Sequence, residues 1–371
     1  MTGKSQKSGI VRHSATSNGS HHHSRGHYSA WRRFKHRLKR WFRRHKWAWI
    51  AAVMIVVVLV GTAYWMRRDI KSRSKLQVFS GRRVDVGGGY QDIMYNGQAY
   101  RYNNRVTAIL YAGIDSEAAL VATGAYTAAP RADSVSLIVM DELNERITII
   151  ALNRDTMTGI HRFTVDGKDR GLYTDHLSLS FAYGDGGKVS CENLSQAVSD
   201  LLFGIPISGY VVSNRASLPL LGNLIGPVEV VVPNDDLTDL GFTAGSTVTI
   251  DSSNLMMYVR TRDIETDLSN VGRMQRQETY INAAMGKILS LLTEDTNTAW
   301  DFMQKAEDFV VTDITRSRYL NLVKILRNTH YSADDYYTPD GQQVVGSSYD
   351  EFYPDMEALQ EKVIELFYMP R

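Results

Sequence analysis

Twenty consecutive residues without a charged side chain, Trp47 to Met66, constrain this chain more than any other feature. A helix of that length spans about 30 Å, the thickness of the hydrocarbon layer of a bilayer. Trp49 lies near its first end and Trp65 near its second, and aromatic rings with a polar edge prefer the headgroup level. The segment is therefore predicted to be a transmembrane helix.

The flanks of this segment predict its orientation. Residues 1–46 contain thirteen Lys and Arg and no acidic residue, so the N-terminus is expected in the cytoplasm and the bulk of the chain outside the cell membrane. A cleaved signal peptide is the alternative, but Trp65–Arg68 lacks the small residues of a cleavage site. The basic run Trp31–Lys46 adjoins the span, which favours contact with anionic membrane lipid over nucleic-acid binding.

Four regions follow from these patterns. They are a basic cytoplasmic tail over 1–46 that is largely disordered, a transmembrane helix over 47–66, an extracytoplasmic stalk over 67–91, and an extracytoplasmic domain over 92–371. After residue 66 there are 29 basic and 40 acidic residues, a formal charge of −11. A net acidic domain outside the cytoplasm argues against nucleic acid as a partner.

Cysteine and histidine are too scarce for several common chemistries. Cys191 is the only cysteine, so an intramolecular disulfide and a cysteine-based metal site are both excluded. Only three of the ten histidines follow the apolar span, which leaves few residues for a catalytic triad or a zinc site. The sequence also lacks G-x-S-x-G, H-E-x-x-H and Walker A patterns.

Strand and helix patterns alternate along residues 92–371 and predict an α/β domain with helices over a central sheet. Asp92–Arg105 predicts a hairpin, because Asn96-Gly97 supplies the two positive φ angles of a tight turn. Buried strands are predicted at 106–112, 134–140 and 146–152, further strands at 210–212 and 228–232, and helices at 191–203, 252–259, 269–292, 300–311, 317–328 and 354–368.

Charged residues adjoin the ends of three predicted strands. These residues are Asp115, Arg131, Asp133, Arg154 and Asp155. If adjacent strands end together, these side chains meet at one edge of the sheet, where α/β proteins bind ligands. Carboxylates such as Asp115 and Asp133 are hard oxygen ligands that suit Mg²⁺ together with substrate phosphates.

A second cluster lies in Tyr258–Gln277, which reads YVRTRDIETDLSNVGRMQRQ. Arg260 and Arg262 share one face if the chain is extended there. Arg273, Arg276 and Gln277 share one face of a helix. Arginine presents a planar fork of donors to phosphate oxygens, so both clusters together predict a site for a pyrophosphate and a divalent metal.

Each feature also has a structural interpretation that carries no function. A strand-end aspartate is commonly a turn residue or a helix cap. Arginine and aspartate mixed along a helix commonly form a solvated face with salt bridges. Spacing by itself leaves both interpretations open.

Four segments resemble the LytR-CpsA-Psr (LCP) family of bacterial envelope proteins, and they occur in the family's order. They are LYAGID at 110–115, RADSVSLIVMDELNERITIIALNRDT at 131–156, LSLSFAYGDGG at 177–187, and the block Tyr258–Gln277. The resemblance extends over about residues 92–292. It implies a central mixed β-sheet flanked by helices, with a long apolar groove.

The family transfers a glycopolymer from a polyprenyl-pyrophosphate carrier to peptidoglycan through a phosphodiester bond. By resemblance, Asp115 and Asp133 would hold Mg²⁺ or Mn²⁺. Asp155 or Asp267 would orient the attacking hydroxyl, with Arg154 beside it. The pyrophosphate would be surrounded by Arg131, Arg154, Arg260, Arg262, Arg273 and Arg276, with Gln277 in support.

The segment Leu177–Phe181 departs from the family pattern, where a Lys-Ile-Asn-His-Ala-type run is common. Asn153 stands where a proline is frequent, and Glu278 stands where a second glutamine is common. The resemblance implies a membrane-anchored, magnesium-dependent transferase that attaches teichoic acid, capsule or another wall glycan. Two alternatives use the same residues: a polyprenyl-pyrophosphate pyrophosphatase and a non-catalytic, lipid-binding envelope regulator.

Overall fold

The computed structural model describes residues 92–371, except 124, 125, 127, 128, 264, 265, 267 and 348. The predicted cytoplasmic tail, transmembrane helix and stalk lie outside the described residues, as does Asp267. Among the residues that are described, no helix combines the length and the apolar character needed to cross a membrane.

Fifteen strands and eight α-helices make up the described part of the chain. The strands are β1 (Ile93–Tyr95), β2 (Gln98–Tyr102), β3 (Val106–Ile114), β4 (Ala132–Asp141), β5 (Arg146–Leu152), β6 (Met157–Phe163), β7 (Asp169–His176), β8 (Gly209–Asn214), β9 (Val228–Val231), β10 (Thr247–Ile250), β11 (Val310–Thr312), β12 (Tyr336–Tyr337), β13 (Gly341–Val345), β14 (Asp350–Pro354) and β15 (Tyr368–Pro370). The helices are α1 (Leu179–Ala182), α2 (Lys188–Leu201), α3 (Ser217–Ile225), α4 (Leu255–Arg260), α5 (Asn270–Thr293), α6 (Thr296–Lys305), α7 (Arg316–Leu326) and α8 (Met356–Phe367).

The central sheet has six strands in the order β11–β8–β3–β4–β5–β12. β4 runs antiparallel to both β3 and β5, whereas β8 runs parallel to β3. The sheet is therefore mixed, which confirms that part of the fold prediction. Its three middle strands are rich in β-branched and aliphatic residues, and these side chains fill both faces of a sheet that is covered on both sides.

Helices cover both faces of the sheet and enclose separate cores. One core joins β3, β4 and β5 to α2 and α8, and Leu110, Leu194 and Phe367 are fully buried in it. The opposite core includes Ile109, Ile147 and side chains of α6 and α7. A third cluster lies between the β9–β10 hairpin and helices α4 and α5, so a smaller unit is packed beside the sheet.

The N-terminal hairpin is confirmed, since Asn96 and Gly97 have φ values of 47° and 79° between paired strands β1 and β2. Several segments differ from the predictions, and two of them show why. The predicted helix 300–311 ends at Lys305, and the chain then enters β11 because Val310–Thr312 pair with β8. The β6–β7 hairpin was not predicted, because its exposed strands alternate only weakly between apolar and polar residues.

Candidate functional site

Three strand ends meet at one edge of the central sheet. Ile114, the last residue of β3, pairs with Ala132 at the start of β4, while Leu152 at the end of β5 pairs with Val135. The antiparallel order thus brings together the residues that follow β3, precede β4 and follow β5. The predicted gathering of strand-end charges at one edge is present in the structure.

An open cavity of about 710 Å³ lies at this edge. It is lined by Asp115, Pro130, Arg131, Asp133, Arg154, Met256, Met257, Arg260, Thr261, Arg262 and Arg273. Five arginines and two aspartates give the lining a formal charge of +3. An excess of positive charge in a concave site with apolar walls attracts anions, so the cavity suits a phosphate-bearing ligand.

Asp133 is the centre of the deepest ion-pair network. Its carboxylate accepts a hydrogen bond from Arg154 Nη1, and Arg273 Nη1 lies 3.4 Å from its Oδ2 atom. Arg273 Nη2 also donates to the Asp133 carbonyl at 3.0 Å. The Asp133 side chain is only 14% exposed, so these contacts hold two guanidinium groups in defined positions at the cavity wall.

Asp115 is the more open of the two aspartates, with a side chain that is 44% exposed. Its Oδ1 atom accepts a hydrogen bond from Arg260 Nη2 at 2.6 Å and lies 3.5 Å from Arg215 Nη1. Arg215 follows β8, the strand parallel to β3, and sequence reasoning missed it. The signal was available, because Asn214 and Arg215 end an apolar strand in the same way as Asp115 does.

Arg260 and Arg262 both line the cavity, but Arg260 lies in a helix and not in an extended segment. Arg260 is the last residue of α4, and Thr261 after it is extended. Arg262 Nη1 donates to Ser269 Oγ at 3.2 Å, just before α5 begins. A helix end followed by an extended residue therefore places the two guanidinium groups on the same cavity.

Arg276 lies behind the cavity and does not line it. The side chain is fully buried, and its guanidinium donates to the carbonyls of Tyr258 and Thr261 and to the side chains of Asn234 and Asp236. These four acceptors leave little capacity for a ligand. Arg276 was predicted to contact the pyrophosphate, whereas in the structure its guanidinium contacts protein groups.

Gln277, like Arg276, bonds to the protein and does not line the cavity. Its Nε2 atom donates to the Val259 carbonyl at 3.0 Å, within helix α4. Arg276 and Gln277 thus donate to three carbonyls of the segment that carries Arg260 and Arg262, those of Tyr258, Val259 and Thr261. Gln277, which was predicted to support the pyrophosphate-binding arginines, is absent from the cavity lining and, like Arg276, connects α5 to the arginine-bearing segment.

Gly272 explains why the Arg276 network can form. A β-carbon at this position would lie 1.8 Å from Asp236 Oδ2, the atom that pairs with Arg276 at 2.7 Å. Asn234 Nδ2 also donates to the Gly272 carbonyl at 2.9 Å. A residue without a side chain is therefore needed where the segment after β9 approaches the first turn of α5.

Asp155 lies beside the cavity rather than in its lining. Its Oδ1 atom accepts from Arg154 Nε at 3.2 Å, and the side chain is 13% exposed. Asn153 Oδ1 accepts from the Asp155 amide at 2.9 Å and from Asn270 Nδ2 at 2.8 Å, which links this turn to α5. Asn153 and Asn270 thus have structural roles that spacing did not indicate.

Arg273 is the cavity residue with the most perturbed environment. Burial lowers the pKa of its guanidinium to about 10, and the nearby positive charges of Arg154 and Arg262 act in the same direction, against the attraction of Asp133. Its Nε atom is buried without a hydrogen-bond partner, although Nη2 donates to Asn270 Oδ1 at 2.7 Å. The positive charge of this guanidinium in the cavity wall favours an anion in the cavity.

Asp115 and Asp133 are the two carboxylates that the family resemblance implies as metal ligands, and both lie near Arg260. Arg260 Nη2 lies 2.6 Å from Asp115 Oδ1 and 3.8 Å from Asp133 Oδ2, so the carboxylates approach a common point. Mg²⁺ typically takes one or two carboxylates and completes its shell with water and substrate phosphates. In the part of the chain that the structure describes, no group of three or more His, Cys, Asp or Glu side chains could hold a metal ion.

Comparisons with known proteins agree with this fold. Protein gbs0355 from Streptococcus agalactiae superposes with a TM-score of 0.56 at 18% identity, over 70% of this chain and 87% of that one. TagV of B. subtilis gives 0.52 at 20% identity, over 70% and 96%. TagT bound to LIIa-WTA gives 0.52 at 20% identity, over 71% and 90%.

Sequence relatives extend this likeness. The polyisoprenyl-teichoic acid–peptidoglycan teichoic acid transferase TagU of Bacillus cereus is 24% identical over 231 residues, which cover 61% of this chain and 69% of that protein. TagU of Bacillus mycoides is 23% identical over 232 residues, with the same coverage. The sequence model of the LytR_cpsA_psr family matches residues 57–362, which confirms the resemblance. The chain therefore belongs to the LytR_cpsA_psr family.

Proposed function

We propose that this protein is a membrane-anchored phosphotransferase that attaches a glycopolymer from a polyprenyl-pyrophosphate carrier to peptidoglycan through a phosphodiester bond. The observation that carries the proposal is the cavity at the sheet edge, where five arginines and two aspartates converge. Phosphoryl transfer depends on positioning and charge neutralisation, which guanidinium groups supply. The TagU relatives, named as teichoic acid transferases, support the same class of reaction.

The cavity arginines bind and orient the pyrophosphate in this proposal. Arg273 and Arg154 are held by Asp133 at the deep end, while Arg260 is held by Asp115 at the open end. Guanidinium groups fixed by carboxylates lose little further conformational entropy when they donate hydrogen bonds to phosphate oxygens. Arg131 and Arg262 complete the lining. Asp115 and Asp133 would hold Mg²⁺ or Mn²⁺, which when bound would neutralise charge on the phosphate oxygens.

Transfer requires an acceptor hydroxyl to attack the phosphorus on the glycan side. The new bond joins the acceptor oxygen to that phosphorus, the bridging phosphorus–oxygen bond breaks, and polyprenyl phosphate leaves. The hydroxyl proton passes to a base, for which Asp155 and Asp267 are the two candidates. Asp155 Oδ1 lies 3.2 Å from Nε of Arg154, at the wall of the cavity. Asp267 lies in the segment between Arg262 and α5.

The proposed location follows from the sequence. A single N-terminal span, residues 47–66, would anchor the protein in the cell membrane, with the N-terminus in the cytoplasm and the catalytic domain outside. Anchoring keeps the cavity close to a lipid-borne donor and so raises the donor's effective concentration. The membrane lipid, the carrier-linked glycan and peptidoglycan are the partners in this proposal.

The test uses the full-length protein reconstituted in lipid vesicles with a polyprenyl-pyrophosphate glycan, Mg²⁺ and a peptidoglycan acceptor. A transferase releases polyprenyl phosphate and loads an equal amount of glycan onto the acceptor. Asp115→Ala and Arg262→Ala should abolish both products while the domain stays folded. Omission of the divalent metal and its replacement by Mn²⁺ test the proposed cofactor.

Two other outcomes lead to different functions. Release of polyprenyl phosphate without loaded acceptor would make the protein a pyrophosphatase, in which water replaces the sugar hydroxyl. Binding of the lipid without turnover, across several glycan donors, would favour an envelope regulator. Asp155→Asn and Asp267→Asn, assayed separately, identify the base: the variant of the base should lose turnover while its affinity for donor persists.

A further inference from the structure

The C-terminal hairpin brings an exposed aromatic side chain to the edge of the cavity. Strands β13 and β14 pair from Gly341–Pro354 to Val345–Asp350. Tyr349 immediately precedes β14 and is 59% exposed. An isolated exposed ring needs no functional explanation by itself, so a role for Tyr349 depends on what it contacts. None of the four segments that carry the family resemblance includes Tyr349, and the ring is not part of the charged cavity lining.

The Tyr349 ring is held in place despite its exposure. The Arg131 guanidinium carbon lies 5.0 Å from the centre of the ring, in a cation–π contact. The His176 ring approaches it edge-on at 6.1 Å, with an interplanar angle of 87°. These neighbours come from two different segments of the chain. The ring therefore loses little conformational freedom when a ligand covers its exposed surface.

The next residue fastens the hairpin to the site. The Asp350 carboxylate accepts a hydrogen bond from the Leu268 amide at 2.8 Å, and its carbonyl accepts from His176 Nε2 at 2.9 Å. Leu268 has a positive φ of 60°, which is unfavourable for a leucine, so this bond stabilises a strained position in the loop before α5. The loop that carries Arg262 and the turn that carries Tyr349 are thus joined.

Tyr349 touches the cavity through Arg131. Arg131 lines the cavity, and its carbonyl accepts a hydrogen bond from the Asp115 amide at 3.0 Å. Arg131 thus contacts the ring through its side chain and the amide of Asp115 through its backbone carbonyl. A sugar attached to a phosphate in the cavity, and leaving it on the Arg131 side, would meet this ring.

We propose that a pyranose ring stacks on Tyr349. The sugar belongs either to the glycan whose phosphate lies in the cavity or to the acceptor of that phosphate. The C–H groups on one face of a pyranose are apolar and slightly positive, which matches the negative face of an aromatic ring. Tyrosine also gives a rigid contact surface at low entropic cost. This inference rests on the proposed transfer of a phosphate-linked glycan. The pyranose can belong to the donor or to the acceptor.

The affinities of the full-length protein for three ligands separate the contribution of the cavity from those of a donor sugar and an acceptor sugar. Inorganic pyrophosphate reports on the cavity alone, lipid-free N-acetylglucosaminyl diphosphate adds a donor-side sugar, and a phosphate-free peptidoglycan disaccharide represents the acceptor. Tyr349→Ala should weaken binding of a sugar ligand by about fivefold beyond any change in pyrophosphate affinity. The comparison with pyrophosphate is needed because the substitution also removes a contact from Arg131.

Tyr349→Phe should bind all three ligands like the wild type, because stacking needs the ring and not the hydroxyl. Tyr353→Ala is the matched control: Tyr353 lies on the same hairpin, is 44% exposed and donates to Glu351 at 2.6 Å. It should leave all affinities unchanged. A loss confined to the diphosphosugar assigns the stacked sugar to the donor, and a loss confined to the disaccharide assigns it to the acceptor.

The proposal is overturned if Tyr349→Ala changes the binding of the sugar ligands no more than that of pyrophosphate, since Tyr349 then only positions Arg131. It is equally overturned if Tyr349→Ala binds both sugar ligands as tightly as the wild type does. Failure of the proposed function has a different signature, in which wild-type protein binds no pyrophosphate. The disaccharide arm still decides the role of Tyr349 in that case.

Discussion

Arg273 and Arg276 lie three residues apart on helix α5 and are both buried, yet their guanidinium groups have different surroundings. Arg273 faces the cavity, shares Asp133 with Arg154 and retains a buried Nε without a partner. Arg276 faces the segment before α5 and donates to four protein acceptors. One sequence block therefore supplies both ligand-facing charge and the scaffold that positions it.

The largest expected effect is on stability, at Arg276. Arg276→Ala should lower the free energy of unfolding by about 3–5 kcal/mol, because it leaves buried acceptors and Asp236 without their partner. Urea denaturation followed by circular dichroism measures the loss. Arg276→Lys should recover only part of it, since an ammonium group cannot reach all four acceptors. Wild-type stability in Arg276→Ala would remove the distinction between the two arginines.

Substitution of a cavity-facing arginine should weaken ligand binding strongly and change stability little. Arg262→Ala should weaken pyrophosphate binding by about 10- to 100-fold, the range for a lost hydrogen bond to a charged group. Its unfolding free energy should change by less than about 1 kcal/mol, because the side chain is only partly buried and bonds one protein hydroxyl. Calorimetric titration and the same denaturation experiment test both statements. Full affinity in this variant would contradict the ligand-facing role.

A substitution at Gly272 tests the same Arg276 network, because Gly272 lies against Asp236, the partner of Arg276. Gly272→Ala should destabilise the domain by about 1–2 kcal/mol, although alanine normally favours a helix by about 1 kcal/mol over glycine. The reason is the displacement of the Asp236 carboxylate from Arg276. In an Asp236→Ala background the same substitution should become neutral or stabilising. A stabilising Gly272→Ala in the wild-type background would refute the close approach.

The smallest expected effect is a pH dependence that belongs to Arg273. Its pKa of about 10 means that the cation persists below pH 10 and is lost as the pH rises through that value. Pyrophosphate affinity should then fall by about tenfold or less, because the other cavity arginines remain charged. Arg273→Met should lack this fall, and Arg273→Lys should show it at lower pH. An identical profile in Arg273→Met would assign the titration elsewhere.

Several elements were predictable from local pattern. The β-branched runs of β3, β4 and β5 and the Asn96-Gly97 turn are short-range signals, and each element lies within a few residues of its predicted bounds. The charged strand ends were also predictable, because Asp115, Asp133 and Arg154 adjoin those runs. Arg215 follows β8 in the same manner, but the short apolar run before it was a weaker signal.

Other features depend on contacts between distant segments. The cavity contains Met256 and Met257, which have no charged or catalytic signature. Arg276 and Arg262 belong to one motif, and spacing could not tell which side chain faces the cavity. The partners of Arg276 include Asn234 and Asp236, about forty residues earlier. Tyr349 reaches Arg131 across more than two hundred residues of chain.

The amino-acid sequence by itself determined the residue types that chemistry at this site requires, the alternation of strands and helices, and membership of the LytR_cpsA_psr family. Local patterns suffice there, because backbone propensity and side-chain periodicity act over a few residues. Tertiary structure alone decided which arginines are open to a ligand. That choice depends on the burial of each guanidinium and on acceptors brought from distant segments, neither of which spacing along the chain can specify.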